Sequence, residues 1–228
     1  MAQLAFQSVL DDSFRERQRL IDRYCVENRE RYQGFATLVT PSYMDWKAVW
    51  SRLAFAVLSA NALFDFAVKA LGYANRNIGH AEVDTLANYG MVPAKADYIN
   101  ALPQGRATMD LLKWHAETWH TYRMRLTKVK GLGLAKASFA ASLLYPLEAD
   151  VACVDTHMQK VYLGHAAFKS INLKTYLAVE DKVRKVAHRH SVNTFLAQWM
   201  IWDCVRGKVE NHAIFPGAHK DGEAWQEW

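Results

Sequence analysis

The apolar residues of this chain recur at helical spacing along most of its length. Residues 8–33, 174–190 and 192–206 each place apolar side chains three or four positions apart among charged ones. The sequence has no run of alternating β-branched residues long enough to build a sheet. With 51% hydrophobic residues in 228, the chain can bury a sizeable core in one domain or two closely packed lobes. The pattern predicts an all-α fold.

The longest apolar stretch, residues 53–68, is interrupted by Ser59, Asn61 and Asp65. It falls short of the ~20 residues that a membrane span needs, so we interpret it as one buried helix. The first residues lack the basic and apolar regions of a secretory signal. We therefore expect no membrane partner.

The three cysteines, Cys25, Cys153 and Cys204, are too few and too widely spaced for a disulfide framework or a four-thiolate site. They fit reduced thiols in the cytoplasm, in the host-cell cytoplasm for a phage protein, or in a eukaryotic nucleus. Twenty-eight Lys and Arg against 23 Asp and Glu leave a net charge of +5, which weakly favours a polyanionic partner.

A glycine turn, Gly131-Leu132-Gly133, separates two helical patterns. Glycines allow a tight reversal and leave the backbone N–H groups of the next helix open, and such groups attract phosphate. One interpretation is a helix-hairpin-helix that grips a nucleic-acid backbone without reading sequence. The other is an ordinary turn that needs glycine. The candidate DNA-binding residues here are Lys128, Lys130, Gly131, Leu132, Gly133 and Leu134.

A second motif, VDTH at residues 154–157, follows the turn by about twenty residues. Asp155 lies between a short apolar run and a helical pattern, where it would cap a helix N-terminus. The helix dipole keeps such a carboxylate ionised, so a capping aspartate can also serve in catalysis.

Together these motifs resemble the helix-hairpin-helix superfamily of DNA glycosylases, of the endonuclease III type. AVLSANA at residues 56–62 and YGMVPAKADYI at residues 89–99 are similar to two further segments of that family. The match in order and spacing runs from about residue 45 to residue 205.

The resemblance implies two helical lobes with double-stranded DNA lying across the cleft. One lobe is a six-helix bundle at residues 45–145 that ends in the hairpin, and the other takes residues 1–44 and 146–228. One nucleotide would flip into a pocket, and Asn61 matches the residue that fills the gap. The implied protein is a monomer, and the one cofactor that the resemblance admits is a monovalent cation at the hairpin.

The sequence departs from the family at two places. Bifunctional members carry a nucleophilic lysine four residues after the first hairpin glycine, and Ala135 stands there, with Lys136 one residue later. One residue rotates a helical side chain by about 100°, so we expect no Schiff-base chemistry. For Lys136 the alternatives are a pocket residue reached by local adjustment, a phosphate contact, or a solvated helix face. The four cysteines of the family's iron–sulfur cluster are missing, so we expect no cluster.

The resemblance then implies a monofunctional N-glycosylase for a damaged or modified base. Asp155 would stabilise the sugar cation or activate water. His157 would line the pocket or support Asp155, and a purely structural role stays open.

Two alternatives use the same scaffold. Phage enzymes that build hypermodified thymines are similar lysine-less relatives, in which an amine or amino acid replaces pyrophosphate on 5-hydroxymethyluracil. Lys128, Lys136, Arg184 and Arg189 would then bind pyrophosphate, with Asp155 as the base. The second alternative is a DNA-binding module without catalysis.

An arginine-rich segment at residues 1–44 lies outside the resemblance. It extends the DNA contacts or forms a solvated helix face. Its arginines include Arg15, Arg17, Arg19, Arg23, Arg29 and Arg31.

Overall fold

The computed structural model describes residues 14–30, 32, 45–164 and 171–206. These residues form helices and connecting turns with no strand among them, which confirms the predicted all-α class. The helices are α1 (Phe14–Asn28), α2 (Trp46–Leu58), α3 (Phe64–Arg76), α4 (Val83–Ala87), α5 (Ala94–Asn100), α6 (Arg106–Met109), α7 (Trp119–Leu126), α8 (Leu134–Leu144), α9 (Thr156–Leu163), α10 (Leu173–Arg189) and α11 (Thr194–Arg206). Across the described ranges, no helix is long and apolar enough to cross a membrane.

The chain divides into two compact units. In the central unit, which contains α2–α8, helix α2 contacts α3, α5, α6 and α8. Nine of the 13 residues of α2 are buried, because its apolar side chains meet a neighbour on nearly every face. In the terminal unit, which contains α1 and α9–α11, helix α11 contacts α1, α9 and α10. Each unit is therefore built around one apolar helix.

The prediction of one helix across residues 53–68 is wrong. Helix α2 ends at Leu58, and α3 begins at Phe64 and continues beyond Gly72 to Arg76. Asn61 adopts a left-handed backbone conformation with φ 48°, which asparagine tolerates better than most residues and which ends a helix. The polar residues inside this apolar stretch therefore mark a turn.

Helical spacing in residues 107–126 also predicts one long helix, which the structure does not form. Helix α6 ends at Met109, and α7 begins at Trp119 after Thr118, whose side chain accepts the N–H of Thr121. The intervening loop is held by Arg125, which donates to the carbonyl oxygens of Asp110 (3.0 Å) and Leu112 (2.6 Å). This tertiary anchor outweighs the local helical pattern.

The arginine-rich N-terminal segment contributes to the core at one point. Arg17 is buried and donates from Nε to the carbonyl oxygen of Val161 at 2.9 Å. Arg15, Arg19 and Arg23 are exposed on α1, and Arg31 lies outside the described residues. Arg17 therefore joins α1 to α9 and is not part of a solvated face.

Candidate functional site

The glycine turn joins α7 to α8 in the central unit, as a helix-hairpin-helix requires. Gly131 has φ +91°, a conformation that L-residues with side chains rarely adopt. A Cβ at this position would lie 2.9 Å from three atoms of the Tyr98 side chain, Cβ, Cγ and Cδ2. Glycine is therefore required at position 131 for two reasons: the positive φ of the turn and the close approach of Tyr98 on α5.

Gly133 is the N-cap of α8, has extended backbone angles and makes no side-chain cap. It is exposed, and no described atom lies within 4 Å of an added Cβ. The space beside Gly133 is therefore open among the described residues, at the N-terminus of α8 and hence at the positive end of the helix dipole. This geometry suits a phosphate group.

The predicted DNA-binding residues of the hairpin differ in exposure. Lys128 and Lys130 are exposed, and the Lys130 ammonium lies 5.7 Å from the centroid of the Tyr98 ring. Leu134 is half-buried. The side chain of Leu132 is only 1% exposed, so this residue presents only its backbone at the surface.

Lys136 lies on α8 and points toward the end of α2. Its Nζ donates to the Ser59 hydroxyl at 3.0 Å and lies 5.1 Å from the Phe139 ring centroid. The residue is half-buried, so it does not form the solvated face that was one alternative. Asn61, two residues beyond Ser59, is exposed.

Sequence reasoning missed Lys95 on α5. Its side chain is buried, 5% exposed, and Nζ donates to the carbonyl oxygen of Leu58 at 2.7 Å and to Sδ of Met91 at 3.2 Å. Burial, and secondarily the Lys136 ammonium, lowers the pKa of Lys95 to about 8. The only signal in the sequence is the position of this lysine inside the YGMVPAKADYI segment.

Asp155 caps α9 in the terminal unit, as predicted from the VDTH motif. Its Oδ1 accepts the N–H groups of His157 (2.9 Å) and Met158 (3.0 Å). Both described hydrogen bonds of this carboxylate end on Oδ1, and the residue is half-buried. The second oxygen, Oδ2, takes part in neither of the two hydrogen bonds that form the helix cap.

The segment before Asp155 is held by three side chains that the sequence did not indicate. Ala152 N donates to Glu180 (2.9 Å), Cys153 N to Gln198 (2.6 Å), and Val154 N to the Tyr176 hydroxyl (3.2 Å). The partners are Glu180 and Tyr176 on α10 and Gln198 on α11. Buried side chains thus support the backbone on which Asp155 stands, and such support fixes the position of a functional group.

The imidazole of His157 packs edge-to-face on Trp202, with ring centroids 6.2 Å apart. Its buried Nδ1 has no hydrogen-bond partner among the described residues. Burial lowers the pKa of His157, while Asp155 acts in the opposite direction. Burial therefore disfavours the charged form of the ring, and the hydrogen bond to Asp155 comes from the backbone N–H of His157.

The two arginines of the pyrophosphate alternative are paired with carboxylates. Arg189 donates to both oxygens of Asp22 at 2.6 Å. Arg184 lies 3.6 Å from Asp150 and 3.9 Å from Glu180. Each guanidinium group is therefore already paired with a carboxylate within the terminal unit.

The described part of the chain contains no group of three or more His, Cys, Asp and Glu side chains placed to hold a metal ion. Cys25 and Cys153 are buried as free thiols, and Cys204 is half-buried and also free.

Three solved structures that align with this chain are described as 8-oxoguanine DNA glycosylases. The 8-oxoguanine DNA glycosylase of Thermotoga maritima aligns with a TM-score of 0.66 at 23% identity, over 86% of this chain and 99% of that one. The 8-oxoguanine glycosylase/lyase of Methanocaldococcus jannaschii, in complex with a 15mer DNA containing 8-oxoguanine, gives 0.67 at 19% identity, over 82% and 98%. A second structure of the 8-oxoguanine DNA glycosylase from that organism gives 0.62 at 19% identity, over 91% and 96%.

Neither a protein-family model nor a curated protein matches the chain. The structural alignments confirm the fold that the resemblance implied: the chain has the all-α fold of 8-oxoguanine DNA glycosylases.

Proposed function

We propose that this protein is a DNA N-glycosylase that removes a damaged or modified base from double-stranded DNA. The observation that carries the proposal is Asp155, a carboxylate fixed by two backbone amides at the N-terminus of α9, with Oδ2 outside the cap. The shared fold of DNA glycosylases supports it.

DNA binding is assigned to the hairpin of the central unit. The open N–H groups after Gly133 bind a backbone phosphate, and the exposed ammonium groups of Lys128 and Lys130 add positive potential. Contacts of this kind position DNA without reading its sequence. Main-chain carbonyl oxygens at the hairpin are the ligand type that a monovalent cation prefers.

The reaction breaks the bond between the sugar C1′ and the base nitrogen. The electron pair leaves with the base, and positive charge develops on C1′ and O4′. A carboxylate about 4 Å away stabilises that cation by about 4 kcal/mol at an effective dielectric constant near 20. Asp155 also orients a water molecule and accepts its proton as the oxygen attacks C1′.

Burial lowers the pKa of His157 and disfavours its charged form, so we assign the imidazole no acid role. Its contribution is the backbone N–H that holds Asp155 Oδ1. The first substrate to test is 8-oxoguanine, because the structural neighbours are 8-oxoguanine glycosylases.

The test is mass spectrometry of bases released from duplexes that contain 8-oxoguanine, uracil, 3-methyladenine or 5-hydroxymethyluracil. Asp155→Asn should abolish release and leave DNA binding intact, because asparagine keeps an oxygen for the helix cap and removes the charge. Asp45→Asn is the matched control, since Asp45 Oδ1 caps α2 in the same way by accepting Ala48 N at 2.9 Å. It should release base at the wild-type rate.

A fully active Asp155→Asn variant would overturn the assignment of Asp155. A heavier nucleoside with its glycosidic bond intact, formed from pyrophosphorylated 5-hydroxymethyluracil and an amine, would replace the glycosylase proposal with the base-modification alternative.

A further inference from the structure

Two ammonium groups from different helices meet at the C-terminal end of α2. Lys95 on α5 donates to the carbonyl oxygen of Leu58, the last residue of the helix, at 2.7 Å. Lys136 on α8 donates to the hydroxyl of Ser59, the next residue, at 3.0 Å. Cations at this end of a helix balance its negative pole and bind carbonyls that have no partner within the helix.

These two contacts precede the turn that presents Asn61. The Ser59 hydroxyl donates in turn to the carbonyl oxygen of Ala56 at 3.0 Å. Leu58 and Ser59, at the C-terminal end of α2, are therefore both held by hydrogen bonds. Asn61 follows with φ 48° and an exposed side chain. The exposed residue thus stands on a backbone anchored by Lys95 and Lys136.

Burial of the charged Lys95 side chain costs desolvation free energy. Lys95 is 5% exposed, and burial disfavours its charged form, which lowers the pKa to about 8. Methionine would fill a similar volume without a charge to desolvate. A costly buried charge that holds an exposed turn is typical of residues that serve function rather than stability.

The same two helices also meet at the hairpin: α8 is one of its two helices, and α5 packs against its turn. Tyr98 on α5 packs beneath Gly131, and Lys136 lies on the first turns of α8, which begins directly after Gly133. Helices α5 and α8 therefore fix the position of the Asn61 turn relative to the hairpin backbone, inside one unit.

We propose that Lys95, assisted by Lys136, is a positioning residue that holds residues 59–61 so that Asn61 enters the DNA duplex when a nucleotide leaves the stack. This inference rests on the proposed function, because it assigns a part of the DNA-binding surface to the turn. Lys95 itself does not contact the DNA, since its ammonium is buried against Leu58 and Met91.

The test uses a duplex that carries a tetrahydrofuran abasic-site analogue opposite 2-aminopurine, whose fluorescence reports stacking at the gap. Wild-type protein should change the fluorescence on binding. Lys95→Met should lower that change, because losing one charge-assisted hydrogen bond worth ~1.4 kcal/mol shifts the equilibrium for insertion about tenfold. Asn61→Gly, which keeps the left-handed backbone and removes the side chain, should lose the change to the same extent.

Three variants separate positioning from loss of fold or charge. Lys95→Arg should recover the change, because it restores a cation with hydrogen-bond donors. Lys69→Met, on the exposed face of α3, removes one charge and should behave as wild type. If circular dichroism shows that Lys95→Met is unfolded, Lys136→Met tests the same turn through its contact with Ser59 and should also lower the change.

A folded Lys95→Met variant with the full wild-type fluorescence change would overturn the inference, as would a wild-type protein that binds the duplex without any change. A wild-type protein that changes the fluorescence but releases no base would support the positioning role and overturn the proposed glycosylase instead.

Discussion

The ammonium group of Lys136 lies 3.0 Å from the hydroxyl oxygen of Ser59, so this lysine is directed to the end of α2. It occupies the residue after Ala135, the position at which bifunctional relatives of the resembled family carry their nucleophile. A Schiff base needs a free amine aimed at the sugar C1′. The hydrogen bond to Ser59 engages this amine at the helix end.

We therefore expect no covalent adduct when the protein and an abasic-site duplex are treated with borohydride. Denaturing gel electrophoresis would show the protein at its free position only. Ala135→Lys restores an amine at the family's position and should yield a trapped adduct, which serves as the positive control. An adduct with the wild-type protein that disappears in Lys136→Met would show that Lys136 is a nucleophile.

Replacing Gly131 should damage the fold and the binding of DNA together. Gly131→Ala introduces a Cβ 2.9 Å from the Tyr98 ring at a φ of +91°, and we expect a loss of about 1–3 kcal/mol in the free energy of unfolding. Urea denaturation measures this loss. DNA affinity should fall by the same factor for duplexes of different sequence, because in the proposed function the hairpin contacts only the DNA backbone.

Gly133→Ala is the comparison for that variant. Gly133 has a negative φ and no described neighbour within 4 Å of an added Cβ, so the loss in stability should be smaller than for Gly131→Ala. Affinity for DNA should still fall, since the methyl group covers the open amides. Equal stability losses for the two alanine variants would contradict the close packing of Gly131 on Tyr98.

The stability of the protein should depend on the protonation of Lys95. Its pKa in the folded state is lowered to about 8, mainly by burial, from the ordinary value of 10.5. Between these two pH values the unfolded state binds more protons, so this group makes the folded state relatively more stable as pH rises. Below about pH 8 the buried charge is present and its cost is complete.

The difference in unfolding free energy between Lys95→Met and wild type reports this titration. The unfolding free energy of wild type should rise relative to that of the methionine variant as pH rises from 7 to 10, by at most about 1.4 kcal/mol per pH unit for one proton. Denaturant unfolding of both proteins at each pH gives the difference. A difference that stays constant over this range would show that Lys95 titrates normally.

Asp155 should contribute to stability through its cap and to catalysis through its charge. Asp155→Ala removes the acceptor for the N–H groups of His157 and Met158 and should cost about 1 kcal/mol of unfolding free energy. Asp155→Asn should cost less than that, and both variants should lose base release. If asparagine destabilises as much as alanine, the charge also contributes to the cap.

Features that depend on neighbouring residues were predictable. The VDTH motif places Asp155 before a helical pattern, and the carboxylate caps α9 as expected. Gly131 and Gly133 lie in the turn between two helices, as their spacing indicated. Helix caps and glycine turns form within a few residues, so the chain carries their signal locally.

Features that depend on residues far apart in the sequence were not predictable from it. The break after Leu58 is fixed by Lys95 and Lys136, which lie 37 residues beyond Leu58 and 77 beyond Ser59 respectively. Only folding brings these ammonium groups to the end of α2, where the apolar sequence alone predicted a continuous helix. The loop before α7 likewise depends on Arg125, whose side chain reaches back to Asp110 and Leu112.

The sequence by itself determined the helical class, the hairpin and the capping aspartate, because helical periodicity, glycine turns and N-caps arise from local backbone chemistry. The tertiary structure alone decided that Lys95 is buried, that Lys136 turns toward Ser59, and that the backbone before Asp155 is held by Glu180, Tyr176 and Gln198. Burial, direction and support of a side chain are set by packing partners that lie far away along the chain.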